Sequence, residues 1–208
     1  MKLQDLTIKE YLEMTASGDP VPGGGSASAF SGAIASALTS MVANLTIGKR
    51  GYTSVEGRML EIIREMEGNI DFFVENIDRD AESYSLVMEA YKMPKESDDE
   101  AAVRSEAIQS AMKHASLVPM EVAEKGLGMM DTIIEVVHKG NRNAVTDGMV
   151  SIMACRAAIM GALLNVRINI SGIKDRAFVA MLTEKCDRIE RDATAKERSM
   201  LDWVKSNL

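Results

Sequence analysis

The chain has 208 residues, 46% of them hydrophobic and only 4% aromatic, with 16 methionines. That is one domain of ordinary size with ample material for a core, and a composition suited to packed helices. A net charge of −7 and a pI near 5.0 argue against a protein that grips nucleic-acid phosphates regardless of sequence.

The opening "MKLQDLTIKE" has no apolar core of the kind a secretory signal carries. Thr7 and Glu10 form a capping-box pattern that opens a first helix, to about residue 17. Gly18 and Pro20 stop it. A second helix is expected over about 26–47, ended by "GKRGY". A third runs from about 54 to 91 or 92, where Pro94 and the polar "MPKESDDE" interrupt. A fourth covers about 99–125 and a shorter fifth about 129–138. The polar "KGNRNAVTDG" follows, then a sixth helix over about 145–170 and a last over about 175–206. There is no alternating strand pattern, no repeat and no low-complexity linker. Long helices on short loops predict an all-α, up-and-down bundle, with residues 1–208 as a single domain.

Between Asp19 and Lys49 there is no charge at all, a length sufficient to cross a bilayer. The segment also carries Ser26, Ser28, Ser31, Ser36, Thr39, Ser40, Asn44 and Thr46, and its apolar residues are often Ala. It therefore reads as a buried helix of a protein without membrane spans. Ala29, Ala33, Ala37, Ser40 and Asn44 recur at steps of three or four and mark a small face for close helix packing. Only Asn44 sits awkwardly in that reading. The entry to this helix, "PVPGGGS", concentrates three glycines. Glycine leaves room for another group, and a helix start near Ser26 offers unpaired N–H groups to an anion. The stretch follows no strand and is a poor fit to a dinucleotide loop. "IGKR" has Arg50 where a Walker A loop needs Ser or Thr.

In the third helix Ile70, Phe73, Ile77, Tyr84, Met88 and Tyr91 recur at spacings of three, four and seven, one stripe. Asp80 falls on it. Asp78, rotated by about 200° from Asp80, faces elsewhere. A carboxylate on a core-facing stripe needs partners or a proton. It is either a satisfied structural residue or an acid/base group with a tuned pKa. In the sixth helix Asn165 and Asn169 share one face and require partners in so apolar a setting. Arg156 and Arg167 share another face, expected to be solvent-exposed. His114 and His138 are the only histidines and lie in no ligand-spaced cluster, so no metal site is expected. Cys155 and Cys186 show no pairing pattern, which fits a reduced, cytoplasmic protein. A buried-face Asp, several Asn and a glycine loop at a helix start suit a small polar ligand and proton transfer.

The residues also resemble a known family. "PVPGGGSASAFSGAIASALTSMVANLTIGKRGY", "DRDAESY", "YKMPKESDDE", "SLVPMEVAE", "GNRNAVTD" and "GALLNVRINISGIKD" follow one another along nearly the whole chain. In that series the chain is similar to the cyclodeaminase/cyclohydrolase family of folate one-carbon enzymes. The resemblance implies an all-helical homodimer, with the folate site in a cleft or tunnel near the dimer interface, and leaves a higher oligomer open. It implies no tightly bound cofactor. The substrate is a tetrahydrofolate derivative, with or without extra glutamates, and neither nucleic acid nor membrane is a partner. It implies that Asp80, the second Asp of "DRDAESY", is the catalytic residue, and that Gly23, Gly24, Gly25 and Ser26 shape the site. Asn44, Lys49, Asn141, Asp147, Asn165 and Asn169 lie in shared motifs and are assigned to substrate binding. The acidic glutamyl tail calls for basic residues such as Lys49, Arg50, Arg142 or Arg167.

The first functional reading is formiminotetrahydrofolate cyclodeaminase, with Asp80 moving a proton from N10 to the departing ammonia. The alternative is 5,10-methenyltetrahydrofolate cyclohydrolase, with water as nucleophile in the same pocket. A third is a non-catalytic helical folate-binding or scaffold dimer.

Overall fold

The computed structural model describes residues 2–207. Six α-helices follow one another: α1 (Ile8–Thr15), α2 (Gly24–Asn44), α3 (Glu56–Lys92), α4 (Asp98–Lys139), α5 (Val145–Ile170) and α6 (Arg176–Asn207). Three single 3₁₀ turns, Leu3–Asp5, Thr53–Val55 and Arg142–Ala144, lie between or before them, and no strand occurs among the described residues. The expected all-α class is observed.

Sequence signals explain most of the helix ends. Thr7 and Glu10 make the reciprocal capping box, the Thr7 side chain accepting from the Glu10 N–H. Ser97 and Glu100 repeat the device at the start of α4. Helices α2, α3, α4 and α5 run alternately up and down. Ser26 meets Asp80, and Gly32 abuts Phe73, along the α2–α3 seam. Arg58 pairs with Glu135 and Arg79 with Glu121 along α3–α4. Helix α6 straps the outside, tied to α5 by Arg156–Glu197 and by Arg167 to Asp187 and Glu190. Both arginines therefore face acidic partners on α6.

One expectation fails. The two helices expected over 99–125 and 129–138 are a single 42-residue helix, α4. Gly126 does not break it. A Cβ there would lie 2.7 Å from Ile159 Cγ1, so glycine is what lets α4 and α5 approach. Two glycines cost about 2 kcal/mol of helix propensity relative to Ala, and burial along a long helix offsets this. Pro119 also sits inside α4.

Helix α2 is the inner helix. Its buried side is wider than the small face read from spacing. Ala29 and Ala33 are buried, but so are Ser28, Ala35, Ser36, Thr39, Val42 and Ala43, while Ala37 and Asn44 are exposed. The hydroxyls of Ser28, Ser36 and Thr39 bond back to carbonyls four residues earlier, which satisfies them without leaving the helix. By length and composition α2 and the segment Arg142–Ile170 are apolar enough to cross a membrane, yet half or more of each such stretch is buried inside the bundle.

The stripe on α3 is buried at Phe73 and Ile77 and continues at half-buried Asp80. Beyond it Tyr84, Met88 and Tyr91 are exposed. The reason is that α3 outruns the core there and forms, with α4, one wall of a cleft.

Candidate active site

The cleft has a volume of about 330 Å³ and opens at the end of the bundle where α2 starts and α5 ends. Its floor is Asp80. The N-cap position of α2 is Gly23, which has no side chain to cap the helix. Asp80 supplies the cap from α3: its Oδ2 accepts the Ser26 N–H at 2.9 Å and lies 3.3 Å from Ser26 Oγ. The hydroxyl itself donates to Ile77 O at the better distance of 2.8 Å. A carboxylate at a helix start is stabilised by the exposed N–H groups and the dipole. Burial works the other way. It pushes the Asp80 carboxyl above the ordinary carboxylate range, outweighing the two bonds from Ser26. A carboxyl held in this way keeps its proton to higher pH than an exposed one.

The glycine triplet acquires a reason. A methyl on Gly25 would overlap the Asp80 carboxylate, and one on Gly24 would stand 3.2 Å from Asn165 Nδ2. Side chains here would fill the space over the carboxyl.

Asn165 and Asn169 both line the cleft, as their shared face on α5 requires. Asn165 donates to Gly161 O one turn back, at 2.9 Å. Asn169 donates across to Ala115 O on α4, at 2.7 Å. That carbonyl is free for a specific reason. Residue 119, four positions on, is Pro and has no N–H to give it. Pro119 thus creates the acceptor that orients Asn169, which no spacing argument on α5 alone reveals. Each asparagine keeps its carbonyl oxygen and one N–H for a ligand. The remaining walls are apolar: Val21, Val87, Met112 and Ile168, with the edge of Tyr84. Ser83, also in the wall, donates to the Asp80 carbonyl at 2.8 Å. Asp80 is the one charged residue of the lining. Met112 and Ile168 were not singled out in the sequence because apolar wall residues have no local signature.

The other expected binding residues lie elsewhere. Asn44 ends α2, roughly 30 Å along the helix from Gly24 at 1.5 Å per residue. It is exposed and its amide bonds back to Ser40 O. Lys49 and Arg50 are exposed in the turn after it. Asp147 sits in the first turn of α5, at that same far end. Asn141 is buried and fully engaged: its backbone N–H reaches Thr46 Oγ1, its side-chain amide Leu45 O, and its side-chain oxygen accepts from Asn143 N–H. It clasps the end of α2 to the α4–α5 turn. Arg142 is also at the far end, and Arg167 is paired with Asp187 and Glu190. None of these joins the cleft within one chain. Asp78, facing away from Asp80 as expected, accepts the Leu3 and Gln4 N–H groups and pins the N-terminal turn. Among the described residues no group of three or more His, Cys, Asp or Glu side chains gathers as metal ligands would.

Comparisons with known proteins converge. A family model described as formiminotransferase-cyclodeaminase matches residues 7–188. A methenyltetrahydrofolate cyclohydrolase from Methylorubrum extorquens is 37% identical over 202 residues, covering 97% of each chain. A formimidoyltransferase-cyclodeaminase from Gallus gallus is 31% identical over 83% of this chain, which spans about a third, 32%, of that longer protein. The crystal structure of a formiminotetrahydrofolate cyclodeaminase from Thermotoga maritima superposes with a TM-score of 0.86 at 30% identity, covering 98% of this chain and 99% of the other.

Proposed function

The chain belongs to the formiminotransferase-cyclodeaminase family of folate one-carbon enzymes, and we propose that Asp80 carries acid–base chemistry at the carbon bridging N5 and N10 of a tetrahydrofolate. The observation that supports this is a single half-buried carboxyl, its pKa raised by burial, on the floor of a cleft with no other charge. The bridging amidinium of 5,10-methenyltetrahydrofolate is a cation and matches a lone anion. The apolar walls suit flat rings, and the free amide groups of Asn165 and Asn169 suit the polar edge of a pterin. Gly23, Gly24, Gly25 and Ser26 form the rim that keeps the carboxyl open to the substrate.

Full-length likeness to a stand-alone cyclohydrolase at 37% identity favours hydrolysis as the first reading for this chain. Asp80 takes a proton from water as the oxygen adds to the methenyl carbon. The proton of the resulting hydroxyl passes to N5 as the C–N5 bond breaks. The products are 10-formyltetrahydrofolate and one proton released to solvent. The likeness to a stand-alone cyclodeaminase structure supports the second reading. There N10 attacks the carbon of the protonated formimino group, the N10 proton passes through Asp80 to the resulting amine nitrogen, and the C–N bond breaks to release ammonia and the methenyl cation.

The methenyl chromophore distinguishes them. Accelerated loss of absorbance from 5,10-methenyltetrahydrofolate, abolished in Asp80→Asn, is the expected result. Appearance of the chromophore from 5-formiminotetrahydrofolate with ammonia release establishes the deaminase. Silence in both, without protection by folate in a thermal melt, discards the assignment and leaves the scaffold reading.

We further propose a homodimer, in a cytoplasmic setting consistent with two free, buried cysteines. Ile34 and Met41 on α2, Leu45 just after it, and Val150, Met153, Leu164 and Ile168 on α5 are exposed on stripes without a charge. Helices α2 and α5 run antiparallel side by side, Ser28 against Gly161 and Thr39 against Ser151. The combined apolar face is of the kind that marks an interface. Ile168 belongs both to this face and to the cleft wall, so a second copy on the face would border the substrate. Met153→Glu should yield monomers by light scattering; a wild-type monomer at working concentration would end the proposal.

A further inference from the structure

Tyr11 is the one buried residue of α1, and the cleft chemistry does not use it. Its ring packs against Phe30 with centroids 5.5 Å apart and planes at 41°. Phe30 lies four residues beyond Ser26, so Tyr11 rests on the first turns of α2, those that hold Asp80. Its hydroxyl is buried and has no hydrogen-bond partner among the described residues. Buried hydroxyls are nearly always bonded, so an unpartnered one calls for a reason. Asp80 shows the complementary asymmetry. Both Ser26 bonds go to Oδ2, and Oδ1 accepts none from the described residues.

We propose that Tyr11 is a positioning residue for Asp80: its hydroxyl donates through one bridging water to the open Oδ1 and favours the ionised carboxyl. The proposal rests on the reading of Asp80 as the acid–base group. Electrostatics agree with the placement. Burial holds the Tyr11 phenol above its ordinary range; the nearby Thr15 hydroxyl works against this, and the charge of Asp80 adds to it.

On α1 the Thr15 hydroxyl lies near the phenol but gives its proton to the Tyr11 backbone carbonyl at 2.8 Å; few other groups compete. On α2 there is no charged residue, and Asp19 before it is exposed. On α3 Arg79 turns to Asn76 and Glu121, and Asp78 to the N-terminal turn. Tyr84 stands in the cleft wall. On α4 Lys113 is paired with Asp175, and on α5 Arg167 is paired with Asp187 and Glu190. Tyr11 is therefore the buried donor left to tune Asp80 from behind, while substrate approaches from the cleft.

The test titrates the Asp80 carboxyl carbon by NMR in the wild type and in Tyr11→Phe, with Asp80→Asn supplying the assignment. Tyr11→Phe deletes one oxygen and leaves the ring on Phe30. The expected result is an Asp80 midpoint higher by about one pH unit, the scale of one lost hydrogen bond to a charged group. The acid limb of kcat/KM should move with it. An unchanged midpoint overturns the proposal, even if the variant melts lower. Full activity of Asp80→Asn would instead overturn the acid–base reading, and the NMR midpoints would still decide whether Tyr11 tunes the carboxyl.

Discussion

At one end of the bundle Asn165 and Asn169 each give a single N–H to a carbonyl and keep the rest of their amides facing a cleft. At the other end Asn141 uses its side-chain oxygen, its amide and its backbone N–H on the protein itself. In sequence all three are asparagines of motifs the family shares, Asn165 and Asn169 among apolar neighbours and Asn141 in a polar stretch. The difference is spare capacity. An asparagine whose groups are all engaged is a clasp, and one with groups left over beside a cavity is free to meet a ligand. The same contrast separates Asp80, half-buried with one oxygen open, from Asp78, whose two oxygens both accept backbone N–H groups.

The sharpest way to break this comparison is at Asp80. Asp80→Asn should lower kcat by about 10³-fold, within the range for loss of a general acid–base group, while substrate still raises the melting temperature. Stability should move the opposite way to activity. Because burial raises the folded pKa above the ordinary value of 3.8, ionisation opposes folding. The penalty is absent below the unfolded pKa and grows as pH rises through the folded pKa. At neutral pH the variant should melt at or above the wild type, and the advantage should vanish near pH 3. A variant that loses stability as much as rate would make Asp80 structural.

Gly25→Ala is next. The added methyl overlaps the Asp80 carboxylate, so the carboxyl or the helix start must shift. Overpacking of this kind costs about 1–3 kcal/mol, and kcat should fall about 100-fold through misplacement of the carboxyl. Unchanged kinetics would show that the close approach has no catalytic purpose.

Asn141→Ala should behave in the reverse sense. It leaves the part-buried Leu45 carbonyl and Asn143 N–H without their partner and should cost about 1 kcal/mol in denaturant melts. Below the transition kcat/KM should stay within about twofold, and a large kinetic defect would erase the contrast between the two ends.

The smallest effects are expected from a matched pair. Asn169→Ala should raise KM about tenfold, the equivalent of one hydrogen bond, whereas Lys49→Ala should change it less than about twofold. A tenfold change from Lys49→Ala would mean that the far end of one protomer reaches the cleft of another.

Much of the fold was legible in the sequence, because helix signals are local. The Thr7–Glu10 box, Pro94, the onset of α5 at Val145 and the charge-free α2 each depend on residues within a few positions of one another. The glycines of α4 misled for the same reason. A break at Gly126 is a sound local inference, overruled by Ile159, 33 positions away in sequence. Asp80 was legible because periodicity put it on a buried stripe, and Asn165 with Asn169 because they share a helix face.

Which polar residues gather was not legible. Asp80 became a candidate acid–base group only where the N-terminus of α2 met α3, and Asn169 was aimed only because Pro119 on another helix frees a carbonyl. Asn44, Lys49, Asn141 and Asp147 were separated from the cleft by the length of α2. Helical pattern is decided by neighbours three and four residues apart and is written in one strand of text. Site membership is decided by which helix ends pack together and by which hydrogen-bonding groups remain unused, and both exist only once the helices have been assembled.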